Sequence, residues 1–278
     1  MRGAWVTAAV PFVAAAGAFM TLHRMHGSLA EDSLYFIVGI LGVGAAALGS
    51  LVAALAFDAG DYMRRAWLLQ GMCYGTLVLN TLLFRSAGHA SEHVLSPAAA
   101  ATSGLFIIVA NVASVLGNLR IARAWRVAGL DLRVPAEVRW GAAVASLALA
   151  LAIVGSTLSQ DAQALFGGDW GSLSSTISDL GDVITLALVA PILLTAFALR
   201  GGSLAWPWAL LSLSSLGWLF YDAAGPVSSA LALESAAQRP LEAALRVFAC
   251  LAQLSAGLLQ ASVLAESEQS LPMPALRR

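Results

Sequence analysis

The sequence predicts an all-α, polytopic integral membrane protein with about eight transmembrane helices. Hydrophobic residues make up 59% of the 278 residues and charged residues only 11%, and the mean hydropathy is +0.80. Soluble globular domains carry about 25% charged residues, so water cannot be the main solvent of this chain. The apolar residues also form continuous runs rather than an alternating pattern, which favours helices over membrane strands.

Eight apolar runs have approximately the length that a membrane-spanning helix requires. Such a helix needs about 20 predominantly apolar residues to cross the hydrocarbon layer. The runs occupy residues 4–22, 34–57, 65–84, 98–122, 138–158, 180–199, 205–222 and 243–266. Only short polar links separate them, so we expect a single transmembrane helical domain that covers residues 1–278.

The distribution of arginine predicts the orientation of these helices. All 15 basic residues are arginine, because the chain contains no lysine. With a cytoplasmic N-terminus, eleven of the 15 fall in cytoplasmic segments, and only Arg24, Arg85, Arg239 and Arg246 fall towards the outer side. The positive-inside rule then predicts that both termini are cytoplasmic. An arginine-only, alanine-rich and leucine-rich composition is typical of a GC-rich bacterial genome, which predicts a location in the bacterial cytoplasmic (inner) membrane.

The two halves of the chain suggest two parallel four-helix repeats. An offset of 142 residues superposes Asn111 on Gln253 and Asn118 on Gln260. The repeat units would cover residues 1–122 and 138–266. Because each unit has an even number of helices, both would insert in the same direction, with the pseudo-symmetry axis along the membrane normal.

Amide and hydroxyl side chains form two polar stripes inside the apolar runs. Asn111, Ser114 and Asn118 are spaced i, i+3, i+7 and share one face of the fourth helix. Gln253 and Gln260 share one face of the eighth helix in the same way. Polar groups left unsatisfied in hydrocarbon are costly, so both stripes must face protein or water. They could line a solute pathway, or hydrogen-bond neighbouring helices together, which is the commoner role of such residues.

Charged residues gather near the outer ends of the last three helices. These residues are Asp179, Asp182, Asp222, Glu242 and Arg246. Asp179, Asp182 and Glu242 are expected in first helical turns, where the helix dipole favours an acid. Glu242 and Arg246 are i, i+4 neighbours and are expected to pair, with Asp182 or Asp222 as a further partner for Arg246. Two interpretations follow. Each of the five residues could serve its own helix end, or together they could form an outward-facing polar vestibule that binds a cation or a basic ligand.

All four histidines, His23, His26, His89 and His93, fall in predicted outer links. His89 and His93 have the i, i+4 spacing that can grip a metal on one helix face, and His23 and His26 could complete the site. Zinc or copper would suit imidazole ligands. Histidines in surface links more often bind no metal, so both interpretations stay open.

Three functions remain open for such a chain. The absence of lysine excludes lysine Schiff-base chemistry and P-loop nucleotide binding, and no base and nucleophile are placed together, which disfavours an enzyme. We expect an accessory, sensory or scaffold subunit that lies in the lipid bilayer and acts through other membrane proteins or a homo-oligomer, without nucleic acid. The alternatives are a small transporter or permease module with an outward-facing polar vestibule, and an outward-facing histidine-based metal-binding protein.

Overall fold

A computed structural model describes residues 2–85, 96–129, 134–199, 202, 204–224 and 235–270. These residues form eight α-helices, which are numbered in chain order. Their bounds are Arg2–Arg24 (α1), Glu31–Leu55 (α2), Tyr62–Asn80 (α3), Pro97–Val127 (α4), Ala136–Phe166 (α5), Leu173–Ala198 (α6), Ala205–Asp222 (α7) and Ser235–Ser270 (α8). A π-helical turn, Thr81–Arg85, extends α3, and a 3₁₀ turn, Trp170–Ser172, precedes α6.

Seven of these helices, all except α7, are long and apolar enough to cross a membrane. Large apolar side chains such as Leu41, Val144 and Leu151 are exposed on the outside of the bundle. Extensive exposed apolar surface is unfavourable in water, whereas lipid solvates it. The all-α prediction is therefore confirmed, and the helices indicate a multi-pass membrane protein.

The helix α7 differs from the others in composition and in burial. It carries several tryptophans and serines, and it ends at Asp222. Trp208, Ser212, Ser214 and Leu219 are buried against neighbouring helices. Because protein rather than lipid surrounds most of α7, this helix needs less apolar surface than a lipid-facing helix of the same length.

Several helices extend beyond the apolar runs that reveal them in the sequence. The helix α5 continues through most of the predicted 159–179 link and ends at Phe166, just before Gly168, whose φ of +97° suits glycine. The helices α6 and α8 begin at Leu173 and Ser235, before the predicted starts at 180 and 243. Hydropathy detects only the part of a helix that matches the hydrocarbon layer, so polar helix ends outside that layer were assigned to links.

Six helices form a closed ring, in the order α2, α3, α4, α6, α7 and α8, with α8 packed back against α2. The two remaining helices lie outside this ring, α1 against α8 and α5 against α6. We call the end of the bundle that contains the start of α1 and the α2–α3 and α6–α7 links the near end. The opposite end, which contains the starts of α2 and α8 and the end of α7, is the far end.

A buried apolar cluster closes the ring towards the near end. Its largest members include Trp67 of α3, Ile121 of α4, Ile192 of α6 and Leu210 of α7, each at most 1% exposed. These residues come from four helices of the ring and lie within about two turns of their near ends. The interior of the ring is therefore filled with apolar side chains at the near end.

The helices α2 and α8 pack closely against each other through glycines. Gly257 of α8 lies against Gly49 of α2, so a Cβ on Gly257 would overlap the backbone of Gly49. One turn away, Gln253 Nε2 donates to Ser50 Oγ at 3.0 Å, and Ser50 Oγ donates to the Ala46 carbonyl at 2.8 Å. Small residues allow the two backbones to approach, and the polar contact then holds them together.

We expect Gly257→Ala to destabilise the bundle by about 1–3 kcal/mol, because the added methyl group must push α2 and α8 apart. The free energy of unfolding in detergent, or the apparent Tm, measures the effect. Gly75→Ala is the matched control, since a Cβ at Gly75 meets no atom within 4 Å. Equal stability of the two variants would contradict the proposed close packing.

Candidate functional site

A polar cavity of about 250 Å³ lies inside the ring, between α3, α4, α6, α7 and α8. Along α3 its lining runs from Gln70 to Thr81, which corresponds to about 16 Å at the helical rise of 1.5 Å per residue. Pockets for drug-sized ligands measure about 300–1,000 Å³, so this cavity suits a smaller molecule. The apolar cluster at Trp67 and Ile121 lies beyond Gln70 towards the near end.

Amide side chains form the floor of the cavity next to that cluster. Gln70 Nε2 donates to Asn118 Oδ1 at 2.9 Å, and this bond joins α3 to α4. Asn118 Nδ2 donates to Ser114 Oγ at 3.5 Å. Gln253 also lines the cavity while it bonds to Ser50. The floor therefore combines helix–helix hydrogen bonding with a polar surface.

A chain of hydrogen bonds crosses one wall of the cavity. Trp218 Nε1 donates to the Tyr74 hydroxyl at 3.0 Å, and Tyr74 Oη lies 3.3 Å from Ser214 Oγ. Ser214 Oγ donates to the Ala249 carbonyl at 2.8 Å, so the Tyr74 hydroxyl must supply the proton to Ser214. This chain gives all three side chains defined orientations and places two aromatic rings against the cavity.

The opposite wall joins α4 to α6. Asn111 Nδ2 donates to the Ile107 carbonyl at 3.1 Å and lies 3.4 Å from Ser178 Oγ. Gly181 allows this approach, because a Cβ there would lie 3.2 Å from Asn111 Oδ1. Ser178, Asp182 and Thr185 then follow one another along the face of α6 that lines the cavity.

Two aspartates and one arginine line the far half of the cavity. Asp182 of α6 and Asp222 of α7 are close enough to hydrogen-bond to each other. Asp222 is exposed at the far end, whereas Oδ2 of Asp182 is buried without a hydrogen-bond partner. Arg246 of α8 also lines the cavity, and its Nε is likewise buried without a partner. The cavity thus opens at the far end beside charges of both signs.

A second cavity of about 160 Å³ lies between α2, α7 and α8. Tyr221 and Arg246 line both cavities and so stand between them. At its rim, Arg239 bonds to Asp32 at 2.6 Å and lies over the Tyr35 ring at 4.2 Å. These contacts tie the start of α8 to the start of α2 at the far end.

The five residues of the predicted vestibule are divided among three places. Asp182, Asp222 and Arg246 line the main cavity, and Glu242 lines the second cavity. Asp179 instead lies within hydrogen-bonding reach of Thr157 on α5. The carboxylates therefore do not form one acidic surface.

Two details predicted for these residues are wrong. Asp179, Asp182 and Glu242 do not lie in first helical turns, because α6 begins at Leu173 and α8 at Ser235, so the helix-dipole explanation does not apply. Among the described residues, the ion pairs are at the far end of α2 and α8 and do not include Glu242 with Arg246. Glu242 Oε1 instead accepts from Gln238 Nε2 at 3.0 Å.

The predicted amide stripes meet at the cavity over most of their length. Asn111, Ser114, Asn118 and Gln253 all line it. Gln260 is buried at 4% exposure but does not line the cavity. The hydrogen-bonding and cavity-lining interpretations are therefore compatible, since the same side chains do both.

The predicted histidine site falls partly outside the described residues, where His89 and His93 lie. His26 Nδ1 lies 3.1 Å from Glu31 Oε1, and Arg239 lies 3.6 Å from the same oxygen. The His23 ring stacks on Phe19 at 5.7 Å. In the part of the chain that the structure describes, no three metal-ligating side chains come together.

Sequence reasoning missed several residues that line the cavity. Gln70, Tyr74 and Thr81 share one face of α3, and Ser214 and Trp218 share one face of α7. The period was present in the sequence as polar and aromatic residues three or four positions apart. This period does not by itself predict a cavity, because tyrosine and tryptophan are also common in lipid-facing helices.

We expect Gln70→Leu and Asn118→Leu to be coupled by about 0.6–2 kcal/mol in the free energy of unfolding, since each removes one side of the same hydrogen bond. A double-mutant cycle in detergent measures this coupling. The pair Gln70→Leu and Gln253→Leu is the control, because no hydrogen bond joins these two residues. Additive effects in the first pair would show that the bond does not stabilise the ring.

Comparison with known proteins assigns no relationship to this chain. No protein-family model, no curated protein and no solved structure matches it. The arrangement of residues around the cavity is therefore the basis for proposing a function.

Proposed function

We propose that the chain is a small transporter or permease module of the bacterial inner membrane, and that the main cavity binds a small polar solute. In this proposal all eight helices cross the membrane, both termini are cytoplasmic, and the far end faces outwards. The single observation that supports it most is the polar cavity, which opens at the far end and is closed by apolar side chains at the near end.

Polar residues in a membrane-embedded bundle are costly to maintain unless they have a structural or functional role. Hydrogen bonds between helices account for Gln70, Asn118 and Gln253. They do not account for Asp182 and Arg246, which keep buried atoms without partners beside open space. A bound solute would supply those partners. A cavity open to one side and closed to the other is also the arrangement that alternating access requires.

Three features support the eight-helix topology. The helix α7 is too polar to be recognised by hydropathy alone, but it lies in the ring between α6 and α8, which are both candidate spans. Most arginines fall on the near side, which agrees with a cytoplasmic near end. Exposed tryptophans also mark both ends, with Trp5 and Trp140 at the near end and Trp170 at the far end.

The proposed repeat agrees with the contacts inside the ring. Exchange of α2, α3 and α4 with α6, α7 and α8 leaves the set of ring contacts unchanged. The outer helices depart from this symmetry, because α1 packs against α8 whereas α5 packs against α6 rather than α4. The proposed parallel repeat is therefore most symmetric in the three helices of each unit that form the ring.

A sensory or accessory subunit is the second candidate. It is favoured by α8, which contributes Arg246 and Gln253 to the cavity and continues without interruption to Ser270. Its 36 residues correspond to about 54 Å, longer than the hydrocarbon layer. Such a helix could pass occupancy of the cavity to a partner membrane protein or a second copy of the chain. A stoichiometric partner that co-purifies would support this candidate.

We expect a membrane-impermeant thiol reagent added outside the cell to label Ser178→Cys and Thr185→Cys at least tenfold faster than Leu180→Cys and Ile184→Cys. All four positions lie on α6, but the first two line the cavity and the last two face outwards from the bundle. Thiols react as thiolates, which need water. The background carries Cys73→Ala and Cys250→Ala, because both native cysteines are free. Equal labelling, or labelling only from the cytoplasmic side, would contradict an outward-open cavity.

We expect the purified protein in proteoliposomes to take up at least one solute from a radiolabelled panel of amino acids, sugars and organic cations. Uptake should fall at least tenfold in Asn111→Leu and Gln253→Leu, because both remove polar groups from the cavity. Leu180→Ala, on the outside of α6, is the control and should retain uptake. A water-accessible cavity combined with no flux of any solute would favour the sensory candidate over the transporter.

A further inference from the structure

The main cavity presents opposite charges on different walls without joining them. Asp182 and Asp222 belong to α6 and α7, and Arg246 belongs to α8. Ion pairs among the described residues involve neither aspartate with this arginine. Oδ2 of Asp182 and Nε of Arg246 are both buried without hydrogen-bond partners. Each wall therefore contains a buried polar atom that a ligand group of the opposite charge would satisfy.

These charges lie at a similar depth in the cavity. Gly217 of α7 packs against Ala249 of α8, and Arg246 lies three residues before Ala249, nearly one turn closer to the far end. Because α7 runs towards the far end and α8 away from it, Arg246 is level with the last turn of α7. Tyr221 in that turn lines both cavities together with Arg246. Asp222 is the next residue, and Asp182 is its neighbour.

Resting on the proposed solute-binding function, we infer that the occupant of the cavity is a small zwitterion that carries a carboxylate and an ammonium group. The carboxylate binds Arg246 at Nε, and the ammonium group binds the Asp182 and Asp222 carboxyl pair. The unpartnered Arg246 Nε and Asp182 Oδ2, on separate walls of one cavity, are the geometry that assigns this class.

A zwitterion fits this arrangement better than a simple ion does. A cation would satisfy the carboxyl pair and leave Arg246 Nε without a hydrogen-bond partner, and an anion would leave Asp182 Oδ2 without one. A buried charge without a partner is strongly unfavourable in a membrane bundle. A zwitterion satisfies both groups at once and adds no net charge to the interior.

The wall beside the charges also suits an ammonium group. Trp218 lines the cavity one turn before Asp222, and its ring packs edge-on against Tyr221 at 5.5 Å. Aromatic faces attract cations most strongly where water is excluded. The hydrogen bond from Trp218 to Tyr74 fixes the indole ring in position before any solute arrives.

The test compares β-alanine with its two fragments, propionate and ethylamine, which keep one charged group each. Glycine and γ-aminobutyrate vary the separation between the charges. Binding to the purified wild-type protein is measured by calorimetry and by the shift in apparent Tm. We expect at least one of the three amino acids to bind tenfold or more tightly than either fragment, because it makes two charge-assisted contacts rather than one.

Two variants test the assigned residues, each with a matched control. Arg246→Gln and Asp182→Asn should each weaken binding of that amino acid at least tenfold. Arg64→Gln and Asp58→Asn should leave it unchanged, because Arg64 bonds to the Phe57 carbonyl and Asp58 is exposed in the α2–α3 link, both at the near end and away from the cavity. If Arg246→Gln does not fold, Arg246→Lys replaces it, since lysine keeps the charge but loses the planar fork that binds a carboxylate.

The inferred zwitterionic ligand would be contradicted if β-alanine bound no more tightly than either fragment. It would also be contradicted if none of the three amino acids bound. These results are distinct from failure of the proposed function. If the thiol reagent still reaches Ser178→Cys and Thr185→Cys, the outward-open cavity stands and only the chemical class of its solute is wrong. If the reagent does not reach them, the solute-binding function itself fails.

Discussion

Lipid offers no hydrogen bonds, and this constraint organises the whole bundle. Every polar side chain within the hydrocarbon layer must find a partner inside the protein or in enclosed water. Gln70, Asn118 and Tyr74 do so by bonding across helices of the ring. Because of this requirement, the polar faces of α3, α4, α6, α7 and α8 point into the bundle, and aliphatic side chains cover the lipid-facing surface. A central polar cavity follows from this sorting of side chains.

Packing decides where along the ring that cavity lies. At the near end, Trp67, Ile121 and Ile192 are buried together in the interior. At the same level, glycines bring α2 against α8 at Gly49 and Gly257, and Gln253 bonds to Ser50 one turn farther along. Nearer the far end, Asp182, Asp222 and Arg246 add charged side chains to the cavity lining. The interior is therefore closed at one end and open at the other.

At the far end, the second cavity and the contacts at its rim link α8 to its neighbouring helices. Arg239 engages both Asp32 and Glu31, and these contacts join α8 to α2 outside the ring interior. Because Tyr221 and Arg246 line both cavities, a movement of α8 relative to α7 would alter both spaces together. The far end thus couples the position of α8 to the shape of the main cavity.

The sequence by itself determined the solvent of the chain, its helical class and most of its polar intramembrane residues, because these depend on composition and local periodicity. It singled out Asp182, Asp222 and Arg246, since a charge in an apolar run is conspicuous wherever it lies, and all three line the main cavity. Only the tertiary structure directed Asp179 towards Thr157 instead of the cavity and added Tyr74 to the cavity, because the rotation of each helix in the ring decides which face meets the cavity. That rotation depends on contacts between residues far apart in the chain, which local pattern does not contain.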